Sequence, residues 1–218
     1  MTERTRKDPR APRNNYALML ESARKIFLEC DMERGCRRVG QALTDTEIPV
    51  RVLGEIYTLR RADARLFAPS GEEADFETAM SVYDLLGRES SAPHLSGQFV
   101  PTMELHGIMG SNSVHEDLGS ERAKPFTGKA EALDAACRRL GGIKSGKGDV
   151  SYALPVFDCF PVQLRFWEAD EEFPAQLQFF FDRLALDYLH YETLWYVSHF
   201  VTRRLIAELG AAPAQWIL

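Results

Sequence analysis

Three apolar runs separated by short polar breaks lie between residues 149 and 182, and they constrain the fold more than any other feature of the chain. The runs read DVSYALPVF, FPVQLRFWEA and PAQLQFFFD. Val162, Leu164 and Phe166 occupy alternate positions, which is the period of a strand that buries one face. Consecutive strands joined by short polar breaks are typical of an antiparallel meander. The sequence therefore predicts a three-stranded meander with one core face and one mixed face.

Helical periodicity and helix end signals appear in four other segments, which lie on both sides of the meander in the sequence. These segments are residues 14–31, 70–91, 129–142 and 191–210. Ser70 is the expected N-cap of the second helix. Between the first two helices, residues 47–71 are rich in strand formers and predict two or three short strands. About four helices flanking a mostly antiparallel sheet give an α+β fold in a single domain.

The last predicted helix has two distinct faces. Leu194 and Val201 belong to its inward apolar stripe, whereas Trp195, His199 and Arg203 lie on another face.

Charge and hydropathy divide the chain into three parts. We predict a disordered basic tail over 1–13, one α+β domain over 14–210, and a short C-terminal tail over 211–218. The first part holds five basic and two acidic residues, which leaves 21 basic against 30 acidic residues in the remainder. An acidic body makes nucleic-acid binding unlikely, since a phosphate backbone requires a basic face, so only the tail could contact DNA. The sequence has no secretory signal pattern and no run long enough to cross a bilayer, so the prediction is a cytoplasmic protein without a membrane partner.

The stretch RFWEADEEFPAQLQFFFD raises the question of an acidic site. Four carboxylates lie between two apolar runs, and a solvated hairpin turn is the simpler interpretation because adjacent carboxylates repel one another. The alternative is a functional acidic edge, in which Asp149, Asp170 and Asp182 approach one another and bind a hard cation or an amine. Tyr152 and Trp167 are further candidates for ligand binding, on a sheet face that the irregular segment 88–128 would cover.

That irregular segment also holds the candidate metal ligands. His94, His106 and His115 lie there together with several carboxylates, and histidine and carboxylate side chains are ligands for zinc or iron. The spacing matches no recognised metal motif. The four cysteines are too far apart for a C-x-x-C site and are expected to be reduced and buried.

The C-terminal half resembles a known family through a set of short motifs. A Gly-Gly helix end and a Gly-Asp pair are followed by a proline-containing strand, a Trp-x-x-Asp-Glu-Glu-Phe-Pro hairpin and a Phe-Asp. Here these are Gly141 and Gly142, Gly148 and Asp149, Pro161, Trp167 with 170–174, and Phe181 with Asp182. This pattern resembles the family called domain of unknown function 3786, and the likeness extends over most of residues 15 to 208.

The resemblance implies an uncharacterised domain found mainly in anaerobic bacteria and archaea. It supplies no catalytic residue. Some relatives carry a cysteine-rich iron-sulfur segment, which this sequence lacks, so no cluster is implied and the cofactor stays unknown.

Two main hypotheses for the function follow, beside a third in which the protein is a DNA-linked regulator that uses its basic tail. The first is a cytoplasmic binding or accessory domain that holds a small molecule, a cofactor or a partner protein, in anaerobic metabolism. The alternative is a metal-dependent enzyme that uses the loop histidines and the acidic sheet-edge residues. Bound metal in the purified protein would favour the second.

Overall fold

A computed structural model describes residues 15–89, 93–105 and 118–210, and these form an α+β domain. The α-helices of the described part are α1 (Asn15–Glu29), α2 (Met32–Val39), α3 (Phe76–Gly87), α4 (Leu118–Ala123), α5 (Ala130–Arg139) and α6 (Tyr191–Glu208). The strands are β1 (Glu47–Val52), β2 (Glu55–Arg60), β3 (Leu66–Phe67), β4 (Phe99–Pro101), β5 (Ile143–Lys144), β6 (Val150–Phe157), β7 (Phe160–Trp167) and β8 (Gln176–Asp182). Short 3₁₀ turns cover Thr102–Glu104, Lys124–Phe126 and Ala185–Asp187. No helix in the described ranges has the length and apolar character needed to cross a membrane.

The predicted meander is the centre of the larger sheet. Strands β6, β7 and β8 pair antiparallel in that order, and short edge strands extend them to a five-stranded sheet of order β4-β8-β7-β6-β5. A second sheet of order β1-β2-β3 confirms the short strands predicted for residues 47–71. The two sheets meet where the backbone N–H of Leu53 donates a hydrogen bond to the carbonyl of Val156 (3.0 Å).

The larger sheet has one buried face and one mixed face, as the alternation predicts. Directly paired residues share a face, and the register aligns Tyr152 with Leu164 and Leu164 with Phe179. All three are buried. The opposite face carries alternating residues such as Arg165 and Gln178, which are half-buried or exposed. Helices therefore cover one side of the sheet, where the Tyr152 hydroxyl donates a hydrogen bond to Asp134 of α5 (2.7 Å).

The four predicted helices are confirmed, but two further helices and one cap differ from the prediction. Asp75, and not Ser70, caps α3: its Oδ1 accepts a hydrogen bond from the backbone N–H of Thr78 (3.1 Å). Ser70 instead accepts a hydrogen bond from the backbone N–H of Glu72 within the preceding turn (3.3 Å). The chain first forms a bridge to β3 at Glu73 and only then enters the helix.

Helix α2 was not predicted because it contains a glycine that reads as a helix breaker. Gly35 is buried inside α2, where an added Cβ would lie 1.7 Å from the carbonyl oxygen of Leu86. The glycine therefore allows the α2 backbone to touch α3 directly. Helix α3 in turn contacts α1 and α6, so it is the central helix of the layer.

Candidate functional site

A cleft of about 700 Å³ opens at the free edge of β8. It is bounded by the 3₁₀ turn Thr102–Glu104, α4, β8 and the first two turns of α6. Strand β4 pairs with β8 only as far as Phe180, so the rest of that edge of β8 faces α4 and the cleft. The volume lies within the range of pockets that hold small molecules.

The walls of the cleft are largely apolar. Leu177 and Phe179 reach it from the buried face of β8, Leu194 and Trp195 from α6, and Met103 from the 3₁₀ turn. Trp195 also contacts the ring of His199, with 4.9 Å between the ring centroids. A ligand that enters this cleft would therefore exchange water for aromatic and aliphatic surface, which favours an organic molecule over a bare ion.

Among the described residues, Arg122 is the one cation that lines this cleft, and it is stacked on aromatic rings. Its guanidinium carbon lies 4.5 Å from the centroid of the Trp195 ring and 5.8 Å from that of Phe179. The Nη2 atom is fully buried and has no hydrogen-bond partner among the described residues. Nor does the described part of the chain place a carboxylate within ion-pair distance of this guanidinium.

The energetics of this side chain are unfavourable without a ligand. Burial lowers the pKa of Arg122 to about 10, because an apolar environment disfavours the charged form and no carboxylate compensates. The contacts with aromatic rings stabilise the charged form by roughly 0.5 to 2 kcal/mol, but they leave the buried Nη2 without an acceptor among the described residues. An anion bound beside Arg122 would pair this charge and satisfy Nη2.

The mouth of the cleft carries the opposite charge. Glu104 at the end of the 3₁₀ turn and Glu192 in the first turn of α6 both line the cleft, and both are exposed. The Tyr196 hydroxyl donates a hydrogen bond to Glu192 (3.1 Å). The cleft thus has a buried cation and two solvated carboxylates at different positions.

Local packing explains how α4 holds Arg122 in place. Ala123 and Phe126, which follow Arg122, are fully buried and anchor this segment in the core. Gly119 faces β8 at close range, since an added Cβ would lie 2.5 Å from Oε1 of Gln176. The short helix is therefore fixed against β8 on one side and by its buried end on the other.

Asp182 fixes another wall of the cleft. It is buried at the end of β8, and its carboxylate accepts hydrogen bonds from the backbone N–H groups of Ser96 (3.0 Å), Gly97 (2.8 Å) and Leu184 (2.9 Å) and from the Ser96 hydroxyl (2.9 Å). These bonds hold the segment before β4 against β8. Because the 3₁₀ turn of the cleft directly follows β4, Asp182 indirectly positions that turn.

The start of α6 is tied to α3. The backbone N–H of His190 donates a hydrogen bond to Oδ2 of Asp84 (2.7 Å), and the imidazole also contacts this carboxylate. The start of α6 is therefore fixed, and with it the positions of Tyr191, Glu192 and Trp195.

The structure separates Tyr152 from Trp167. The register aligns Trp167 with Gln176 and Tyr152 with Leu164, so the two aromatic residues lie on opposite faces of the sheet. The expectation that they share a face beneath segment 88–128 is therefore wrong. Two parts of that segment, Thr102–Glu104 and α4, do line a cleft, but it lies against β8 and α6. Ligand binding by either aromatic residue stays an untested prediction.

The predicted acidic edge is also divided. Asp149 precedes β6 and Asp182 ends β8, and these strands run in the same direction, so the two carboxylates lie at opposite ends of the sheet. Asp149 and Asp170 share the hairpin end, where Asp149 accepts a hydrogen bond from the backbone N–H of Glu168 (2.7 Å). The prediction that all three meet at one edge is wrong. Because β7 runs antiparallel to both neighbours, the start of β6 and the end of β8 lie at opposite ends of the sheet.

The hairpin itself has the structure of a solvated turn. Asp170 Oδ1 accepts hydrogen bonds from the backbone N–H groups of Glu172 (2.9 Å) and Phe173 (2.7 Å), and these bonds lower the pKa of Asp170. Phe173 is 65% exposed. The Asp-Glu-Glu-Phe motif therefore organises a turn through its first carboxylate.

Of the three candidate metal ligands, His94 is exposed, while His106 and His115 lie outside the described residues. The described ranges contain no group of three His, Cys, Asp or Glu side chains that could hold a metal ion. The metal-dependent hypothesis therefore stays a prediction.

Arg122 was missed by sequence reasoning. A single arginine in an irregular segment has no periodicity or motif to mark it. The one available signal was the second face of α6, which presents Trp195, yet nothing in the sequence indicates which arginine stacks on that ring.

A comparison with family models matches residues 31–204, most of the chain, to the family described as Domain of unknown function (DUF3786). The matched range contains every wall of the cleft. No curated protein and no solved structure matches the chain.

Proposed function

This chain belongs to the family described as Domain of unknown function (DUF3786), and from its cleft we propose that it is a binding domain for a small organic anion, with Arg122 as the anchor of the ligand's carboxylate. The observation that carries the proposal is the half-buried Arg122 at an apolar cleft, whose buried Nη2 has no hydrogen-bond partner and whose charge has no anionic partner in the described residues. The cytoplasmic location and the link to anaerobic metabolism belong to the same proposal and rest on the sequence and the family resemblance alone.

A structural role for Arg122 is the alternative, and the geometry argues against it. Arginines that stabilise folds are usually paired, as Arg204 is with Glu55 in this protein (2.7 Å). Within the part of the chain that the structure describes, Arg122 has stacking contacts but no ion pair, and the stacked rings belong to residues that themselves line the cleft. A neutral residue would pack there at lower cost. The charge is explained if a ligand uses it.

The ligand's body should be apolar and planar or narrow. Aromatic and aliphatic side chains form most of the wall, and the guanidinium lies over an indole ring, so a carboxylate that reaches Arg122 places its attached carbons beside Trp195 and Phe179. Such a cleft selects small aromatic or aliphatic carboxylates by shape and anchors them through one charged contact.

Isothermal titration calorimetry of the full chain with benzoate, 4-methylbenzoate and hexanoate tests the proposal. We expect saturable binding of at least one of these carboxylates and a loss of affinity of tenfold or more in Arg122→Met. Arg37→Met, which removes an exposed arginine of α2, is the matched control and should bind as the wild type does. Absence of binding at millimolar concentrations, or binding that survives Arg122→Met, would contradict the proposal.

A further inference from the structure

Charge is distributed along the cleft in a fixed order. The cation, Arg122, has a buried Nη2 and is stacked on Trp195, so it cannot swing out to the mouth without losing that contact. The carboxylates, Glu104 and Glu192, are exposed and approach from two different walls. The positive charge of the cleft therefore lies on a half-buried side chain that is stacked on Trp195, and the negative charges lie on exposed side chains of two other walls.

The two carboxylates at the rim of the cleft, Glu104 and Glu192, form no ion pair with any described residue. Within the described ranges neither Glu104 nor Glu192 lies within ion-pair distance of a Lys, Arg or His. Glu192 accepts one hydrogen bond from Tyr196 and gains some stabilisation from its place in the first turn of α6. Glu104 has neither an ion pair nor a hydrogen bond with the residues that the structure describes. Both charges are therefore available to a group that occupies the mouth.

This arrangement disfavours a ligand that is only an anion. A simple carboxylate must pass two like charges to reach Arg122, and the chain as a whole carries a net charge of -6. A positive group on the ligand would remove this repulsion and pair with the rim once the carboxylate is in place. Arg122, Glu104 and Glu192 lie on different walls, and neither carboxylate is within ion-pair distance of Arg122. A ligand that contacts both kinds of charge therefore needs an apolar spacer between its own two charges.

We propose that the ligand is amphoteric, with a carboxylate at one end for Arg122, an ammonium group at the other end for Glu104 and Glu192, and an apolar spacer between them. This corresponds to the class of ω-amino carboxylates. The inference rests on the proposed function, since it assigns the second end of a ligand whose first end Arg122 binds.

A matched series of probes tests the inference. 4-(Aminomethyl)benzoate carries both charges, 4-methylbenzoate lacks the ammonium, and benzylamine lacks the carboxylate, while all three share the ring and nearly the same shape. Calorimetry at low ionic strength should show 4-(aminomethyl)benzoate binding about tenfold more tightly than 4-methylbenzoate, and benzylamine binding most weakly. Added salt should reduce the advantage of the amine, since the rim carboxylates are exposed to solvent.

Variants assign the effect to the rim. The double variant Glu104→Gln/Glu192→Gln keeps the shape of the mouth and should bring the affinities of the two carboxylate probes to within about twofold of each other. The double variant Glu33→Gln/Glu131→Gln changes the net charge equally at exposed positions outside the cleft and should keep the tenfold preference.

The outcomes separate the two proposals. If 4-methylbenzoate binds in an Arg122-dependent manner and as tightly as the amine probe, the amphoteric ligand is wrong and the anion-binding function stands. A preference for the amine that persists in Glu104→Gln/Glu192→Gln also overturns the inference. If none of the probes binds, the proposed function and the inference both fail.

Discussion

At the scale of single residues, the charge of Arg122 is expected to lower the stability of the fold. Its guanidinium has aromatic neighbours and, within the described part of the chain, no anionic one. Arg204, by contrast, forms a bidentate ion pair with Glu55. The two arginines therefore differ in what their removal should do to stability.

The variant Arg122→Met should leave the free energy of unfolding unchanged or raise it by about 1 to 3 kcal/mol. Methionine keeps the apolar contacts with Trp195 and removes the cost of burying an unpaired charge. The gain would appear as a rise of a few degrees in Tm, at about 2 to 4 °C per kcal/mol for a domain of this size. Urea denaturation and thermal unfolding measure it.

The matched control is Arg204→Met, which leaves Glu55 without its partner and should lower stability by up to about 1 kcal/mol, since the pair is partly solvated. A loss in Arg122→Met as large as that in Arg204→Met would contradict the view that Arg122 is kept for a ligand.

At the scale of elements, the pairing of β4 with β8 depends on a buried carboxylate. Asp182 accepts four hydrogen bonds, three of them from backbone N–H groups of two separate segments. Strand β4 has only three residues, so its own ladder cannot hold it firmly. The Asp182 carboxylate therefore supplies much of what keeps β4, and the 3₁₀ turn after it, in place.

The variant Asp182→Asn should lower the free energy of unfolding by about 1 to 3 kcal/mol. The amide presents an NH₂ group where the carboxylate accepted hydrogen bonds, so at least one buried backbone N–H loses its partner. Chemical denaturation measures the loss, and hydrogen exchange should show faster exchange at the amides of Gly97 and Val100 than in wild type. The control is Asp170→Asn at the exposed hairpin, where a loss below about 0.5 kcal/mol is expected because water can replace the hydrogen bonds. Equal losses in the two variants would contradict this role of Asp182.

The elements that the sequence predicts are those in which apolar residues recur with a clear helical or strand period. The meander and helices α1, α3, α5 and α6 each bury an apolar stripe that repeats often enough to be recognised. Helix α2 and helix α4 are short, and each contains a glycine whose close contact with a neighbouring element gives it a structural role. That role depends on tertiary packing, which a single sequence does not reveal.

The candidate site was the least predictable part for the same reason. Tyr152, Trp167 and the three aspartates are conspicuous in the sequence, but their relative positions depend on register and strand direction. A reversal of the chain at β7 places Asp149 and Asp182 at opposite ends of the sheet. The cleft combines the loop after β4, one short helix, a strand edge and a helix face, and their proximity is a product of the whole fold.

At the scale of the whole molecule, buried thiols make the free energy of unfolding depend on pH in the alkaline range. Burial raises the pKa of Cys36 to about 11 and that of Cys137 to about 12, from an ordinary value of 9.0. Both side chains are fully buried. Cys36 and Cys137 agree with the expectation that the cysteines are buried, whereas Cys30 and Cys159 are only half-buried.

We expect the free energy of unfolding to fall as the pH rises above about 9. Between pH 9 and the folded-state pKa of about 11, the unfolded chain has lost the thiol proton while the folded chain keeps it, so unfolding releases protons and is favoured by alkali. Each of the two thiols contributes a slope of up to about 1.4 kcal/mol per pH unit in that window and none well below it. Urea denaturation on both sides of pH 9 measures the slope. Cys137→Ala should reduce it, and a slope equal to that of wild type would contradict the assignment to this thiol.

The two edge strands of the larger sheet, β5 and β4, are short. Strand β5 has two residues, and β4 has three and ends at Pro101, whose nitrogen carries no hydrogen to donate. An edge strand with a long row of unpaired backbone groups is a template on which further chains can polymerise into fibrils. The central strands β6, β7 and β8 are rich in phenylalanine and valine, residues that favour such growth, but β5 and β4 pair with parts of the two outer strands, and α4 contacts β8 beside β4. The short edge strands and α4 thus leave a neighbouring molecule little of β8 to extend, and Pro155 and Pro161 interrupt the composition that fibrils require.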